Sequence, residues 1–423
     1  MLDARLIRSD PDAVRAALDR RDAGSMVDEF LVLDTRRREL LGRVEALRAE
    51  RNAAAKAIAE ARKQGGDAAA EIARQAELKE GQAAGEAELA EVERELHELM
   101  LRIPNIPHPA VPRGRSDEDA ALVRVHGKPP EFGFEPRDHL ALAGPEGLGL
   151  IDQESAARVS GSRFHYLLGD LVRLEFALVQ WGMDKLSGRG FTPVVPPVLV
   201  KEEAMVATGF FPEAVDQSYA LGSDPLFLVG TAEVPLAAMH GGKVLDEAAL
   251  PLRYVGFSSC FRREAGAAGK DTRGIFRVHQ FDKLEMFAYV HPDESWDEHE
   301  RLLAIEEEIA NELGFHYRVV DIAAGDLGAP AARKYDIEVW LPGQGRYREL
   351  TSCSNTTDYQ ARRGDIRYRS AHGPRPVHTL NGTAITSSRT LIALIEYGQQ
   401  EDGSIVTPGV LHRFGAPAVI GAR

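Results

Sequence analysis

Apolar positions in the first hundred residues recur on a seven-residue beat. Leu33, Leu40, Leu47, Ala54 and Ala61 form one row, with Arg37, Val44, Arg51 and Ile58 as its companion. After a break at Gly65-Gly66-Asp67, Leu78, Val92 and Leu99 alternate with Leu89, Leu96 and Ile103. The spacing predicts two long helices folded back as an antiparallel coiled coil over residues 30–100. A helix of about 30 residues is about 45 Å long, so such an arm cannot bury itself in a compact domain. Pro104, Pro107, Pro109 and Pro112 forbid a continuing helix. They put a boundary near residue 110, between an N-terminal domain (1–110) and a second domain (111–423).

Beyond the boundary the period changes. Leu171, Leu174, Leu178 and Trp181 predict a helix over 170–188. The stretch 190–199 (GFTPVVPPVL) predicts a strand, as do Pro251–Phe257, Lys283–Tyr289, Tyr317–Val320 and Tyr335–Leu341. A helix over Ser295–Leu313, N-capped by Ser295, stops at Gly314. Runs of sheet with helices set to one side predict an α+β layer architecture. No G-x-G-x-x-G follows an early strand and no G-x-x-x-x-G-K-[ST] occurs, which excludes a Rossmann or P-loop nucleotide site.

At 423 residues, 44% hydrophobic and 27% charged, the chain has the composition of a soluble protein of about two or three domains. It has no apolar run of about 18 residues and no signal-like N-terminus, so neither membrane span nor export is expected. Two cysteines, Cys260 and Cys353, cannot build a four-ligand zinc site and fit a reducing cytoplasm. The net charge of −14 disfavours nucleic acid only globally, because phosphate contacts need a local basic surface. Residues 48–63 offer one, with Arg48, Arg51, Lys56, Arg62 and Lys63 against Glu50 and Glu60. Residues 86–98 carry six glutamates (Glu86, Glu88, Glu91, Glu93, Glu95 and Glu98), so the distal part of the arm is the basic part.

Candidate chemistry starts at Phe261-Arg262-Arg263-Glu264. A glycine-rich link, Arg273 and Phe276 follow, and Glu285 lies beyond. Permanently charged arginines suit a triphosphate. Glu264 can accept from an exocyclic amine, Phe276 can stack on a purine, and Arg273 can close from the far side. Further on, Asn381 to Arg389 leads into an apolar helix with Arg389 at its start, placed to meet a phosphate. Each feature alone also fits an ordinary surface hairpin or an ion-paired helix cap.

Taken together, these segments resemble class II aminoacyl-tRNA synthetases. Residues 261–285 look like motif 2, and the VHQFDKLE wording is that of seryl-tRNA synthetases. The likeness extends to MLDARLIRSDPDAVRAAL at the start, IPNIPHPAVPRG at 103–114, VSGSRFHYLLGD at 159–170, Thr231-Ala232-Glu233 and ELTSCSNTTDYQARR at 349–363. The resemblance implies an antiparallel-sheet catalytic domain and a homodimer formed through motif 1 (190–199). It also implies that the arm lies along the variable arm of tRNA-Ser, with tRNA-Sec a further candidate.

The resemblance assigns Thr231, Glu233, Glu285, Asn381 and Thr383 to serine, and Arg262 to both its carboxylate and the α-phosphate. It assigns Glu264, Arg273, Phe276, Glu349, Ser352 and Arg389 to ATP. Glu349 and Ser352 would be Mg²⁺ ligands, and Arg262 and Arg389 the catalytic pair. Motif 3 (381–395) departs from the family at Ala384 and Ser388, where glycine is common. A specialised paralogue with altered inhibitor sensitivity, an amino-acid:carrier-protein ligase and a non-enzymatic tRNA-binding protein remain open alternatives here.

Overall fold

The computed structural model describes all residues except Gly66, Ala267, Ala268, Lys270, Thr272, Ala422 and Arg423. Part of the expected helix break and part of the link between Glu264 and Arg273 therefore lie outside the described residues. The chain forms two compact units, Leu2–Pro104 and Asn105–Arg423 with Met1.

The first unit is the predicted arm. Helix α1 spans Ser25–Lys63 and α2 spans Ala69–Arg102. Leu40, Val44 and Ile58 are buried against a seam containing Gln82, Gly85, Val92 and Leu99. A Cβ at Gly85 would meet Val44 Cγ2 at 3.0 Å, so the small residue lets the helices approach. Ion pairs cross the seam: Arg43–Glu88 at 2.9 Å, Arg37–Glu93 at 3.0 Å, Arg48–Glu86 at 3.1 Å and Arg36–Glu88 at 3.2 Å. At its base the seam departs from the expected row. Asp34 is buried there, held by Arg8 at 3.0 Å and Arg38 at 3.2 Å, whereas Leu33 is only half-buried. Short helices at Ala4–Ser9 and Pro11–Leu18 supply Ile7, Val14 and Leu18 to the same core, so a heptad read from α1 alone misplaces the buried face.

The second unit is built on an eight-stranded sheet. Its strands are β1 (Ala121–His126), β2 (Thr192–Val194), β3 (Leu252–Phe261) and β4 (Gln280–Val290), then β5 (Tyr317–Asp321), β6 (Arg333–Leu341), β7 (Arg346–Asn355) and β8 (His378–Thr386). The order across the sheet is β1-β5-β6-β7-β8-β4-β3-β2. Every pair is antiparallel except β2–β3. Helices α3 (Asp170–Ser187), α4 (Glu233–Ala238), α5 (Ser295–Glu312) and α6 (Ser387–Gly398) complete the frame. Along β4, Leu284, Met286, Ala288 and Val290 join the main core with residues of α3, α5 and α6. Phe287 and Tyr289 face the other way, against Ala232 and Leu236. The same alternation puts Lys283 and Glu285 on that second face.

Three expectations need correction. The segment 190–199 is not one strand: β2 ends at Val194, and Leu199–Lys201 joins a separate small sheet. Pro196 and Pro197 separate them because neither can donate to a ladder. Ser295 is not the N-cap of α5; it is the first helical residue, and its hydroxyl donates to Pro292 O at 3.1 Å. The two compact units part after Pro104 rather than near residue 110. Asn105 donates from Nδ2 to Pro330 O and Thr356 O, both at 2.8 Å, and belongs to the second unit.

Candidate active site

Two cavities meet over the sheet. The first, about 550 Å³, is lined by Arg262, Glu264, Phe276, Arg277, Glu349, Thr383, Thr386, Ser388 and Arg389 among others. The second, about 1090 Å³, is lined by Thr231, Glu233, Asn381, Ser354 and Lys334 among others. Arg262, Lys283 and Ser352 line both.

Bulges aim several of these side chains. On β7, Thr351 pairs with Ile337 and Glu349 with Glu338, leaving Leu350 as an extra residue. On β8, Ile385 pairs with Leu284 and Thr383 with Glu285, leaving Ala384 extra. In a regular strand, residues three apart face opposite sides. One extra residue between them restores a common face. Glu349 with Ser352, and Thr383 with Thr386, therefore line the same cavity. Neither Ala384 nor Ser388 has a positive φ, so the two departures from the family pattern need no glycine backbone.

Arg262 is fixed from several sides. Its N–H donates to His279 O at 2.9 Å and its Nε to Gly230 O at 3.1 Å. The guanidinium carbon lies 5.1 Å from the Phe281 ring. Arg389 donates to Glu349 O at 3.1 Å and pairs with its carboxylate at 3.2 Å. Burial works against ionising Glu349, but Arg389, Lys334 and Arg262 hold its carboxyl down at about 2. Phe276 has two guanidinium neighbours, Arg348 at 3.6 Å and Arg389 at 4.7 Å.

The second cavity is acidic at its floor. Glu233 Oε1 accepts from Gln360 Nε2 at 2.7 Å and from Asn381 Nδ2 at 2.9 Å. Burial, and then the neighbouring Glu285, push its carboxyl up to about 7. Thr231 Oγ1 stands 3.5 Å from Glu285 Oε2. The site offers carboxylates and a hydroxyl at one end and arginines at the other, separated by the seam between the cavities. That polarity suits a zwitterion joined to a polyanion.

Residues 219–397 match the tRNA synthetase class II core domain (G, H, P, S and T), and residues 1–107 the seryl-tRNA synthetase N-terminal domain. A serine–tRNA ligase of Thermobifida fusca is 50% identical over 98% of this chain and 97% of its own length. That of Rubrobacter xylanophilus is 47% identical over 100% of this chain and 99% of its own. The solved seryl-tRNA synthetase from Pyrococcus horikoshii, complexed with ATP, superposes with a TM-score of 0.93 at 43% identity, covering 99% of both chains. The chain belongs to the seryl-tRNA synthetase family.

For a member of this family, most residues read from the sequence come together as expected, with three differences. Arg273 is exposed and lines neither cavity. Arg277, paired with Glu264 at 2.5 Å, and Arg348 stand near Phe276 instead. Thr383 lines the first cavity rather than the second. Glu285 lines neither, being covered by its ion pair with Lys283. Sequence reading also missed Gln360 and Lys283. The lysine sits inside the quoted VHQFDKLE stretch, two residues from Glu285, and a period-two reading would have put both on one face. Cys260 and Cys353 are buried and free, and burial pushes the Cys353 thiol well above its usual range.

Proposed function

We propose that this chain activates serine with ATP in the paired cavities and passes it to tRNA. It is an aminoacyl-tRNA-forming ligase specific for serine. The observation that carries the reading is the junction at Arg262, whose anchored guanidinium lines both cavities. A serine carboxylate oxygen attacks the α-phosphorus of ATP there, and pyrophosphate leaves. The 3′-terminal ribose hydroxyl of tRNA then takes the acyl group from the adenylate. No side-chain nucleophile is required, and the work is positioning and charge neutralisation.

Thr231, Glu233, Glu285 and Asn381 receive the ammonium and hydroxyl of serine. Phe276 receives the purine, with Glu264 beside its exocyclic amine. Stacked carbon layers lie about 3.5–4 Å apart. A guanidinium beyond the base therefore stands about 7–8 Å from Phe276, and Arg389 moves outward from 4.7 Å to admit it. Glu349 and the Ser352 hydroxyl, side by side in the first cavity, are oxygen donors that would hold Mg²⁺. When bound, the ion adds positive charge beside the phosphates.

Serine-dependent ATP–pyrophosphate exchange tests the reading. Serine should support it, and alanine and glycine should fall short by about 10⁴-fold, because a site that bonds the hydroxyl rejects analogues lacking it. Exchange driven by another amino acid would point to the carrier-protein alternative.

A homodimer is part of the proposal. Val159, Tyr166, Leu168, Phe176, Val195 and Leu199 are all exposed along one stretch of chain, with Val195 at 79% and Phe176 at 58%. Exposed apolar side chains on these elements support association through this segment. Val195→Glu combined with Phe176→Glu should yield monomers by sedimentation, because an unpaired charge resists burial. A persisting dimer would place the interface elsewhere. Both cysteines being free fits a reducing, cytoplasmic setting.

A further inference from the structure

Lys283 is a cation at the floor of the site. Its side chain is 9% exposed. Its Nζ forms an ion pair with Glu285 and donates to Thr231 Oγ1 at 3.3 Å. These are two of the four groups that the proposed function gives to the ammonium and hydroxyl of serine. Lys283 thus holds an ammonium where the substrate would put its own. Two ammonium groups cannot share one carboxylate at contact distance without paying like-charge repulsion in a poorly solvated pocket. A serine ammonium can reach Glu285 only if the lysine gives way.

The geometry also shows where it can go. Lys283 lines both cavities, as only Arg262 and Ser352 do among the lining residues. Its register partners are Ser258 on β3 and Thr386 on β8, and Thr386 lines the first cavity. A four-carbon stem with free rotors can re-aim its head without moving the strand.

We infer that Lys283 is the pocket's resident cation, a positioning residue that occupies the ammonium subsite until serine arrives. Serine's ammonium then takes over Glu285 and Thr231. The displaced Lys283 head turns toward the α-phosphate, beside Arg262. The inference rests on the serine reading of this pocket. Its consequence is coupling: filling the amino-acid subsite delivers one more positive charge to the phosphate side. ATP without serine meets a less cationic centre than ATP with serine.

The test uses the full-length chain with Lys283→Met, which keeps the stem length and removes the charge. Ethanolamine, which carries the ammonium and hydroxyl of serine but no carboxylate, probes the subsite alone in a ligand-observed NMR titration. Toward this probe Lys283 acts only as a competitor. The variant should therefore bind ethanolamine several-fold more tightly than the wild type. At saturating serine, its kcat for pyrophosphate exchange should fall about 10²-fold, the scale of losing one preorganised charge. Opposite signs for binding and turnover are the signature. A merely structural lysine would weaken both together, and that result, or unchanged turnover, overturns the inference. Glu285→Gln separates the underlying reading: if it binds serine as well as the wild type does, or if neither protein binds ethanolamine, the serine pocket itself is misassigned.

Discussion

Arg262→Ala should reduce serine-dependent pyrophosphate exchange by about 10³-fold or more while leaving the fold intact. Removing a single oriented donor from a developing charge costs about 10²–10³-fold. Arg262 serves two partners at once, since it lines the cavities on both sides of the reacting atoms. Its structural attachments are modest. The backbone bond to His279 survives the substitution, and the Nε bond to Gly230 O is worth about 1 kcal/mol. Arg262→Lys should recover only part of the rate, because a point charge cannot reproduce the guanidinium fork. Arg389→Ala should lose exchange on the same scale. It would also free Glu349 from its 3.2 Å ion pair and leave one face of the purine uncovered. Circular dichroism and thermal melts of each variant check the fold. Near wild-type exchange with either alanine would remove that arginine from the chemistry.

Replacing residues 36–96 by a short Gly/Ser linker should leave adenylation within a few-fold and cut transfer of serine to tRNA by about 10³-fold, the scale carried by several phosphate contacts. The cavities are lined wholly by residues of the second compact unit, so activation does not draw on the arm. The basic residues there are not equivalent. Arg48 pairs with Glu86 at 3.1 Å and helps to close the hairpin. Lys56, Arg62 and Lys63 are exposed and Arg51 half-buried. Single alanines at Lys56, Arg62 or Lys63 should weaken tRNA binding evenly across sequences and lower the salt slope by about 1 each. Transfer that survives loss of the arm would assign tRNA recognition to the second unit.

Local signals carried much of this protein. Long heptads with a glycine break specify a helical hairpin whatever surrounds it, because the seam is written in residues three and four apart. The apolar rows of α3 and α5 specify their buried faces for the same reason, and the motif residues Arg262, Glu264, Phe276, Glu349 and Arg389 are legible as chemistry. Strand β1 was not legible: all six of its residues are exposed, so no period-two burial marks it. The buried Asp34 depends on two short helices far back in sequence. At the site, tertiary pairing decided what the sequence left open. The bulges at Leu350 and Ala384 exist only in the register between neighbouring strands, and they turn residues three apart onto one face. The pairing of Lys283 with Glu285 and Thr231 joins β4 to the segment that leads into α4, at the floor of the pocket. A sequence lists those groups. Lys283 and Glu285 are neighbours along β4, but only the fold brings Thr231 to them, because that contact spans 52 residues of chain.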